Sequence, residues 1–366
     1  MRSRFQVFWL FLIVAPTGCG RMPEATFPAP DRVAPGPTIK RHVHFVGFDS
    51  SQPLVEALKA GKIEGLVVQN PEMMGALGVK TLVDHLEKRA VKKVVDTGET
   101  LVTPENLADP KVAALVNPPK AENVSGSSLA GGKSKKWRVM VIPKGTTHEF
   151  WKTIHFGAQK AADELGSVDL IWQGPQKEDD RVQQIQLVQN AIAAKVDGIV
   201  LAPLDARALA KPVENATARG IPVVVIDSGL ESKAVVSFVA TNNENGGALA
   251  ARRLGELLKG SGKVVLLRYA VGSASTEARE KGFTETLARE FPKVTLLSDT
   301  EYAGPTSDSA QKTALSLVTR YRTQVDGIFC PNESSTFGML RALDGAGMLS
   351  AKREAVPEPS NRPSAK

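Results

Sequence analysis

The sequence predicts an α/β fold in which parallel sheets carry helices on both faces. Short apolar runs alternate with amphipathic stretches from residue 42 onward, and a strand followed by a helix, repeated many times, indicates parallel sheets. The chain of 366 residues is long enough for two domains or one two-lobed unit, since a domain holds about 150 residues. Hydrophobic residues make up 42% and charged residues 23%, which excludes a disordered protein, a collagen-like fibre and a coiled coil.

The charge distribution and the cysteine content exclude two further classes. The net charge is +7, but Lys and Arg are scattered, and the dense basic runs at 92–93 and 133–136 are short. Such runs are typical of a solvated surface, so we expect no nucleic-acid partner. Two cysteines are too few for a disulfide-stapled scaffold. Cys330, in the apolar run GIFC, is predicted to be an inert buried thiol.

The N-terminal segment 1–19 is typical of an export signal rather than of the folded domain. Arg2 and Arg4 precede the apolar run FQVFWLFLIVA, which is shorter than the roughly 20 residues of a membrane-spanning helix. Cys19 follows a glycine, as in bacterial lipoprotein signals, although Pro16 stands where Leu is usual. We therefore expect lipidation of Cys19 and a location in the periplasm or cell envelope. The alternative is an ordinary secretory signal followed by a free Cys19.

The segment 38–119 contains the first group of predicted elements. Residues 20–37 before it are rich in Pro, Ala and Gly and are predicted to be a flexible tether. Strands are predicted at 43–48, 65–69, 93–96 and 101–103, and helices at 53–60 and 73–89. The stretch 120–136 consists mainly of Gly, Ser and Lys, a linker composition.

The alternation restarts in the segment 137–348. Strands are predicted at 138–142, 168–172, 198–201, 222–226, 235–239, 263–267, 294–297 and 326–330. Helices are predicted at 150–165, 181–194, 206–219, 246–258, 276–290, 309–321 and 334–346. The tail 349–366 is rich in Pro, Ser and charged residues and is predicted to be disordered.

Two ends of this pattern are incomplete. The last predicted helix has no strand after it, and the first predicted strand has no helix before it. In a chain built from β-α-β units, a strand normally follows each helix. The last helix and the first strand are therefore expected to belong to one interrupted unit.

The two segments resemble one known family, in reversed order. The segment 137–348 resembles the N-terminal three-quarters of the ribose-binding-like periplasmic sugar-binding proteins, in the stretches HEFWKTIHFGAQKAADELG, DGIVLAP, GIPVVVIDS and GIFCPNESSTFGMLRALDGAG. The segment 38–119 resembles the C-terminal quarter, in HFVGFDSSQPLVEALKAGKIEGLVVQNPEMMGALGV and DTGETLVTPENLADP. The resemblance implies a two-lobed periplasmic-binding-protein fold (type I), circularly permuted, with 120–136 joining the old termini. The alternative is that 38–119 forms a free-standing domain.

Polar and aromatic residues follow several predicted strands at their carboxyl ends, where open parallel sheets bind ligands. Carboxylates and amides make strong hydrogen bonds to vicinal hydroxyls, and aromatic rings cover the apolar face of a sugar in a pocket with few polar groups. The strand ends therefore predict a site for a small sugar or polyol. The candidate residues are His148, Phe150, Trp151, Asp227, Ser228, Glu277, Arg279, Asn332, Asp49 and Gln69.

The resemblance distinguishes among these candidates. Those that match family ligand contacts are Phe150, Trp151, Asp227, Asn332, Asp49 and Gln69. Three positions depart from the family: His148 stands where Asn is common, Ser228 where ribose binders carry Arg, and Glu277 where another Arg is expected. These departures argue against ribose itself. Arg279, two residues after Glu277, either contacts the ligand or only braces the cleft.

Several residues also have a structural interpretation. Asp49 and Asn332 follow strands, where Asp and Asn often serve as helix N-caps. His42 and His44 share a strand face, but two histidines alone rarely form a metal site, so we expect surface residues and no metal. His148 lacks the second histidine of a zinc motif, and the sequence contains no Walker loop, no G-x-G-x-x-G after a strand and no G-x-S-x-G. We therefore expect no cofactor.

The sequence predicts a non-enzymatic extracytoplasmic receptor whose lobes close on a monosaccharide or related polyol. We expect a monomer that serves an ABC importer permease or a membrane sensor without a transporter.

A second hypothesis is the effector domain of a sugar-responsive regulator, but a signal-like segment stands where its helix-turn-helix would be. A third is an enzyme using Asp227, Glu277 and Asp49 as acid and base. Fold alone does not support that, and no nucleophile–base pair is evident.

Overall fold

The structure is a computed structural model that describes residues 42–117 and 136–349. The predicted signal with Cys19, the tether, the linker up to residue 135 and the tail from residue 350 lie outside the described residues. All described residues belong to one compact unit. None of the described helices combines the length and the apolar content that a membrane crossing requires.

The elements alternate along the chain as the sequence predicts, with bounds that shift by a few residues. The strands are β1 (His44–Phe48), β2 (Gly65–Gln69), β3 (Val94–Asp96), β4 (Glu99–Val102), β5 (Trp137–Ile142), β6 (Val168–Trp172), β7 (Gly198–Leu201), β8 (Val223–Ile226), β9 (Ser237–Ala240), β10 (Ser261–Leu266), β11 (Lys293–Ser298) and β12 (Gly327–Phe329). The helices are α1 (Gln52–Lys59), α2 (Pro71–Leu86), α3 (Pro110–Val116), α4 (Glu149–Leu165), α5 (Arg181–Ala193), α6 (Ala210–Ala218), α7 (Asn243–Leu257), α8 (Ala274–Glu290), α9 (Ser307–Tyr321) and α10 (Glu333–Gly345).

The strands form two sheets of six strands each. Sheet A has the order β11-β10-β12-β1-β2-β4, and sheet B has the order β3-β9-β8-β7-β5-β6. Helices α1, α3, α9 and α10 cover one face of sheet A, and α7 and α8 cover the other. Helices α2 and α4 cover one face of sheet B, and α5 and α6 cover the other. We call each sheet with its helices lobe A and lobe B.

Strand β1 lies between β12 and β2 and is parallel to both. Phe45 stands opposite Ile328 in the register with β12, and both side chains share a core with Leu343 of α10. The prediction that the strand near residue 43 joins the same sheet as the strand near residue 330 is therefore confirmed. The first segment is not a free-standing domain, because its strands complete both sheets.

Strand β4 runs antiparallel to β2, so sheet A departs from the predicted parallel arrangement at this one edge. The chain leaves β3 in sheet B at its carboxyl end and turns through Thr97 and Gly98, which has a positive φ of 76°. It then enters sheet A directly as β4. A parallel neighbour needs a crossover that returns the chain to the other end of the sheet, and this short connection provides none.

The chain passes between the lobes three times within the described ranges: from β2 to α2, from β3 to β4 and from β9 to α7. Each passage leaves a strand at its carboxyl end. The carboxyl edges of the two sheets therefore lie on the side where the lobes are joined.

Helices α2 and α4 approach each other at a glycine from each helix. A Cβ atom on Gly75 would lie 2.1 Å from the carbonyl oxygen of Ile154, and one on Gly157 would lie 2.0 Å from the carbonyl oxygen of Glu72. Such distances leave no room for a side chain. This contact fixes α2 in lobe B immediately after the chain has crossed from lobe A.

We expect Gly157→Ala to lower the free energy of unfolding by about 1–3 kcal/mol, because the added methyl meets main-chain atoms and must separate the helices. The matched control is Gly345→Ala in α10, where an added Cβ meets nothing within 4 Å. That variant should be neutral or more stable by up to about 1 kcal/mol, as helix propensity dictates. Urea unfolding measures both, and equal effects would contradict the packing argument.

Candidate ligand-binding cleft

The carboxyl ends of strands from both lobes border one cavity. Eight predicted site residues line it: His148, Phe150, Trp151, Asp227, Arg279, Asn332, Asp49 and Gln69. Six residues that the sequence did not single out also line it: Lys144, Glu178, Tyr269, Ser275, Thr276 and Glu333. Residues chosen because they follow strands therefore lie together at one cavity, on the carboxyl edges of both sheets.

The structure does not place Ser228 and Glu277 on the cavity wall. Ser228 is fully buried, and its Oγ accepts a hydrogen bond from the backbone N–H of Ser275 at 3.1 Å. The Oε1 of Glu277 accepts a hydrogen bond from the backbone N–H of Gly272 at 2.8 Å. These two hydrogen bonds hold the loop before α8 and the first turn of α8, which border the cavity.

Asp227 and Lys144 form a buried ion pair in the wall of lobe B. Asp227 follows β8 with a left-handed backbone, φ 60°, and its Oδ2 lies 2.9 Å from the Nζ of Lys144. Lys144 follows β5 and also donates to the Oγ of Ser275 at 3.0 Å. The Oδ2 of Asp227 accepts no aligned hydrogen bond from the protein. This oxygen therefore keeps hydrogen-bonding capacity toward the cavity.

Arg279 braces the cleft and also presents an unused donor. Its Nε donates to the Oδ1 of Asn243 at 2.8 Å, and its Nη1 donates to the carbonyl of Pro331 at 2.9 Å. The guanidinium carbon lies 3.9 Å from the centre of the Phe48 ring, a cation–π contact. Burial lowers the pKa of Arg279, while nearby carboxylates oppose the shift. Nη2 is buried and has no hydrogen-bond partner.

Two buried polar atoms of the cavity residues thus lack a partner in the protein, Gln69 Oε1 and Arg279 Nη2, and a third, Asp227 Oδ2, is held only by its ion pair with Lys144. Leaving such a group unsatisfied costs about 1–3 kcal/mol. Two of these atoms are acceptors and one is a donor, and they come from both lobes. A hydroxyl group can donate and accept, so a polyhydroxylated ligand matches this set.

Glu178, in lobe B, joins side chains of both lobes at the cavity wall, because Tyr269 follows β10 of sheet A. Its Oε1 accepts hydrogen bonds from His148 Nδ1 at 2.8 Å and from Trp151 Nε1, and its Oε2 accepts one from the hydroxyl of Tyr269. Burial raises the pKa of Glu178, but the hydrogen bond and charge of His148 outweigh this and hold it to about 2. Burial lowers the pKa of His148, but the same pair raises it to about 9. Both groups are therefore charged at neutral pH.

Glu333 connects the two lobes at the cavity. It is the first residue of α10 in lobe A, and its Oε2 accepts a hydrogen bond from the backbone N–H of Phe150 in lobe B at 3.4 Å. Burial raises the pKa of Glu333 to about 7. This interlobe contact therefore carries a carboxyl group that changes protonation near neutral pH.

Asp49 is not the N-cap of the helix that follows it, because that position belongs to Ser51. Its Oδ1 accepts a hydrogen bond from Gln69 Nε2 at 2.7 Å, and its Oδ2 accepts one from the backbone N–H of Glu333 at 3.0 Å. Burial raises the pKa of Asp49. The side chain thus links β1 to β2 and to the start of α10.

Asn332 is the N-cap of α10, as its structural interpretation predicts. Its Oδ1 accepts a hydrogen bond from the backbone N–H of Ser335 at 3.2 Å, and its Nδ2 donates to the Oγ of Ser334 at 3.1 Å. Asn332 also lines the cavity, so the cap brings an amide group to the site.

The residues that the sequence did not single out differ in whether a local pattern could have indicated them. Lys144 and Tyr269 stand just after β5 and β10, so the strand-end criterion covers them. Glu333 adjoins Asn332. Glu178 carries no local signal, because its partners lie far away in sequence and only the fold brings them to one carboxylate.

The cavity is small in this arrangement of the lobes, about 30 Å³. Pockets that hold small organic ligands usually measure about 300–1,000 Å³. A ligand the size of a sugar therefore needs more space than this arrangement of the lobes provides.

The family model described as a periplasmic binding protein domain matches residues 139–356. The chain belongs to the periplasmic binding protein family. It is 25% identical to the ribose import binding protein of Bacillus subtilis, over 64% of this chain and 73% of that protein. It is 30% identical to the D-allose-binding periplasmic protein of Escherichia coli, over 60% of this chain and 73% of that protein.

Solved structures of periplasmic binding proteins share the fold. The periplasmic component of an ABC-type sugar transport system from Hahella chejuensis matches with a TM-score of 0.55 and 37% identity, covering 58% of this chain and 76% of that chain. A carbohydrate transporter solute-binding protein from Agrobacterium radiobacter, in complex with D-arabinose, matches with a TM-score of 0.55 and 32% identity, covering 57% and 72%. As a member of this family the chain is a ligand-binding protein and not an enzyme.

We expect Glu178→Gln to lower the free energy of unfolding at pH 6 by about 2–4 kcal/mol, because it leaves the buried His148 without a charged partner. Glu178 raises the pKa of His148 from 6.5 to about 9. The stabilisation is therefore complete below pH 6.5 and is lost as the pH rises through 9. Urea unfolding of both proteins across this range should show the difference shrinking.

The control for this prediction is Glu149→Gln, which removes an exposed charge paired with Lys152 on the surface. It should change stability by less than about 1 kcal/mol at every pH. A stability difference for Glu178→Gln that stayed constant from pH 6 to pH 9.5 would contradict the assigned role of the His148 pair.

Proposed function

We propose that this protein binds a monosaccharide or related polyol between its two lobes outside the cytoplasm and delivers it to an ABC importer permease. The observation that carries the proposal is a set of buried polar atoms on the cavity wall: Gln69 Oε1 and Arg279 Nη2 have no partner in the protein, and Asp227 Oδ2 is held only by Lys144. Each sheet contributes its carboxyl edge, where open parallel sheets bind ligands. Closure of the lobes would bury the ligand hydroxyls against these atoms.

The relatives support a small polyhydroxylated ligand. Their names include ribose import, xylitol-binding, D-apiose import and D-allose-binding proteins. These ligands differ in ring form and length but share vicinal hydroxyl groups. In the cleft, Phe150 and Trp151, whose ring centres lie 4.9 Å apart in an edge-to-face arrangement, offer apolar surface for the sugar C–H groups.

The location and the assembly state follow the sequence analysis. The family assignment supports a place outside the cytoplasm, and the segment before the tether supports export. We propose that Cys19 is lipidated and holds the protein at the membrane surface as a monomer. A tether of Pro, Ala and Gly residues would then let the lobes reach a permease.

The test of the proposed site compares Asp227→Asn in lobe B with Asp49→Asn in lobe A. Thermal-shift screening of pentoses, hexoses and pentitols first identifies a ligand, because a compound that binds only the folded state raises its stability. Calorimetric titration should then show each variant about ten- to a hundred-fold weaker, since a charged hydrogen bond is worth about 1.5–3 kcal/mol.

The matched control is Asp197→Asn, at the amino edge of sheet B, where Asp197 accepts a hydrogen bond from the backbone of Arg138. It should leave the affinity unchanged. Unchanged affinity in both cleft variants would place the ligand elsewhere.

We also propose that the chain is a circular permutant of its family. The backbone N–H of Val43 donates to the carbonyl of Met348 at 3.3 Å, so the end of α10 adjoins the start of β1. The family match begins at residue 139, and the ribose import relative is covered over 73% of its length. Strands β1, β2 and β4 would supply the part that the linear match omits. Permutation is tolerated where surface termini lie close together.

A relinked chain tests this proposal. We expect a protein with residues 136–349 placed before residues 42–117 to unfold cooperatively and to bind the same ligand with unchanged affinity. The control lacks residues 42–117, and it should fail to fold because sheet A loses β1 from its interior. A relinked chain that aggregates while the native order folds would refute the permutation.

A further inference from the structure

A second polar cluster lies at the edge of sheet A opposite the cleft. His42 and His44 stand at the amino end of β1, and Glu64 immediately precedes β2. Because β1 and β2 are parallel neighbours, their amino ends place the three side chains together. The sequence alone predicts that the two histidines are surface residues, because nothing local connects them to Glu64.

Two imidazole nitrogens converge on one carboxylate oxygen. Glu64 Oε1 lies 2.6 Å from His42 Nε2 and 2.8 Å from His44 Nδ1. One ligand atom from each of the three residues lies within 4.8 Å of the others. The side chains of His42, His44 and Glu64 are 33%, 27% and 16% exposed, so an ion and a water molecule can reach them.

The backbone holds Glu64 in place. Its Oε2 accepts a hydrogen bond from the N–H of Phe45 at 2.8 Å, and its own N–H donates to the carbonyl of Phe45 at 2.9 Å. Metal-binding carboxylates are commonly oriented by such outer hydrogen bonds. Arg253 donates to the main-chain carbonyl of Glu64 and not to the carboxylate. In addition, His42 Nδ1 is buried and has no hydrogen-bond partner in the protein.

We propose that His42, His44 and Glu64 form a Zn²⁺ site, with water as the fourth ligand. Two imidazoles and a carboxylate are a donor set that zinc prefers, at ligand distances of about 2.0–2.2 Å. Small rotations of the side chains would admit the ion between atoms that already converge. The ion would bridge β1 and the segment entering β2, far from the cleft, so it would stabilise lobe A without changing sugar binding.

The experiment uses the untagged full-length chain after chelator treatment, because a polyhistidine tag would bind the same ion. Calorimetric titration with ZnCl₂ should show one site, and Zn²⁺ should raise the midpoint of thermal unfolding. MgCl₂ should do neither, since Mg²⁺ prefers oxygen ligands and octahedral geometry. Affinity for the sugar should be the same with and without Zn²⁺.

The variants are His44→Ala and Glu64→Gln, the second of which keeps an acceptor for the Phe45 N–H. Each should weaken Zn²⁺ binding by at least about tenfold, the smallest loss usual for outer-shell changes at zinc sites. The matched control is His85→Ala, at an exposed histidine on α2, which should bind Zn²⁺ as the wild type does.

Circular dichroism checks whether each variant is folded. If one of them is unfolded, His42→Ala is used in its place. Zn²⁺ binding of unchanged strength in folded variants, or none in the wild type, would overturn the proposal. The Zn²⁺ titration and the sugar titration are separate measurements. A failure of the proposed sugar binding would therefore not decide the test of the zinc site.

Discussion

The pairing of β1 between β12 and β2 is the contact on which lobe A depends. It places a strand from the first segment in the interior of a sheet whose other strands come mostly from the second. Hydrogen bonds reinforce it: the N–H of Phe48 donates to Thr336 Oγ1 at 3.1 Å, and Asp49 accepts from the N–H of Glu333 at 3.0 Å. Without this pairing the lobe A wall of the cleft would be incomplete, since Asp49 and Gln69 would no longer face Asn332.

The cleft shows how a protein can keep charges buried beside a cavity. Lys144 pairs with Asp227, His148 pairs with Glu178, and Arg279 lies over an aromatic ring. Unpaired buried charges are costly, so each charge has a compensating partner in the protein. Few polar atoms of the cavity residues are left without a hydrogen-bond partner, so under the proposed function the positions of these atoms would select among arrangements of ligand hydroxyls.

Most elements were predictable because their burial pattern is local. Strands β2, β6 and β7 have the predicted bounds, since a short apolar run bounded by polar residues indicates a buried strand. Helix α3 was missed because it has seven residues, too few for a clear helical period. The antiparallel direction of β4 was missed because strand direction depends on where the preceding strand ends, which a local pattern does not record.

The sequence by itself determined the alternation of strands and helices and the strand ends that border the cavity. The reversed order of the family segments stays a prediction that rests on resemblance. Hydrophobic periodicity reports which side of each element is buried, and parallel strands must present their carboxyl ends at one edge. Only the tertiary structure decided that Glu178 joins His148, Trp151 and Tyr269, and that Glu64 joins two histidines. These groups depend on residues distant in sequence, and a side chain's partner is set by how the sheets and helices pack, not by its neighbours along the chain.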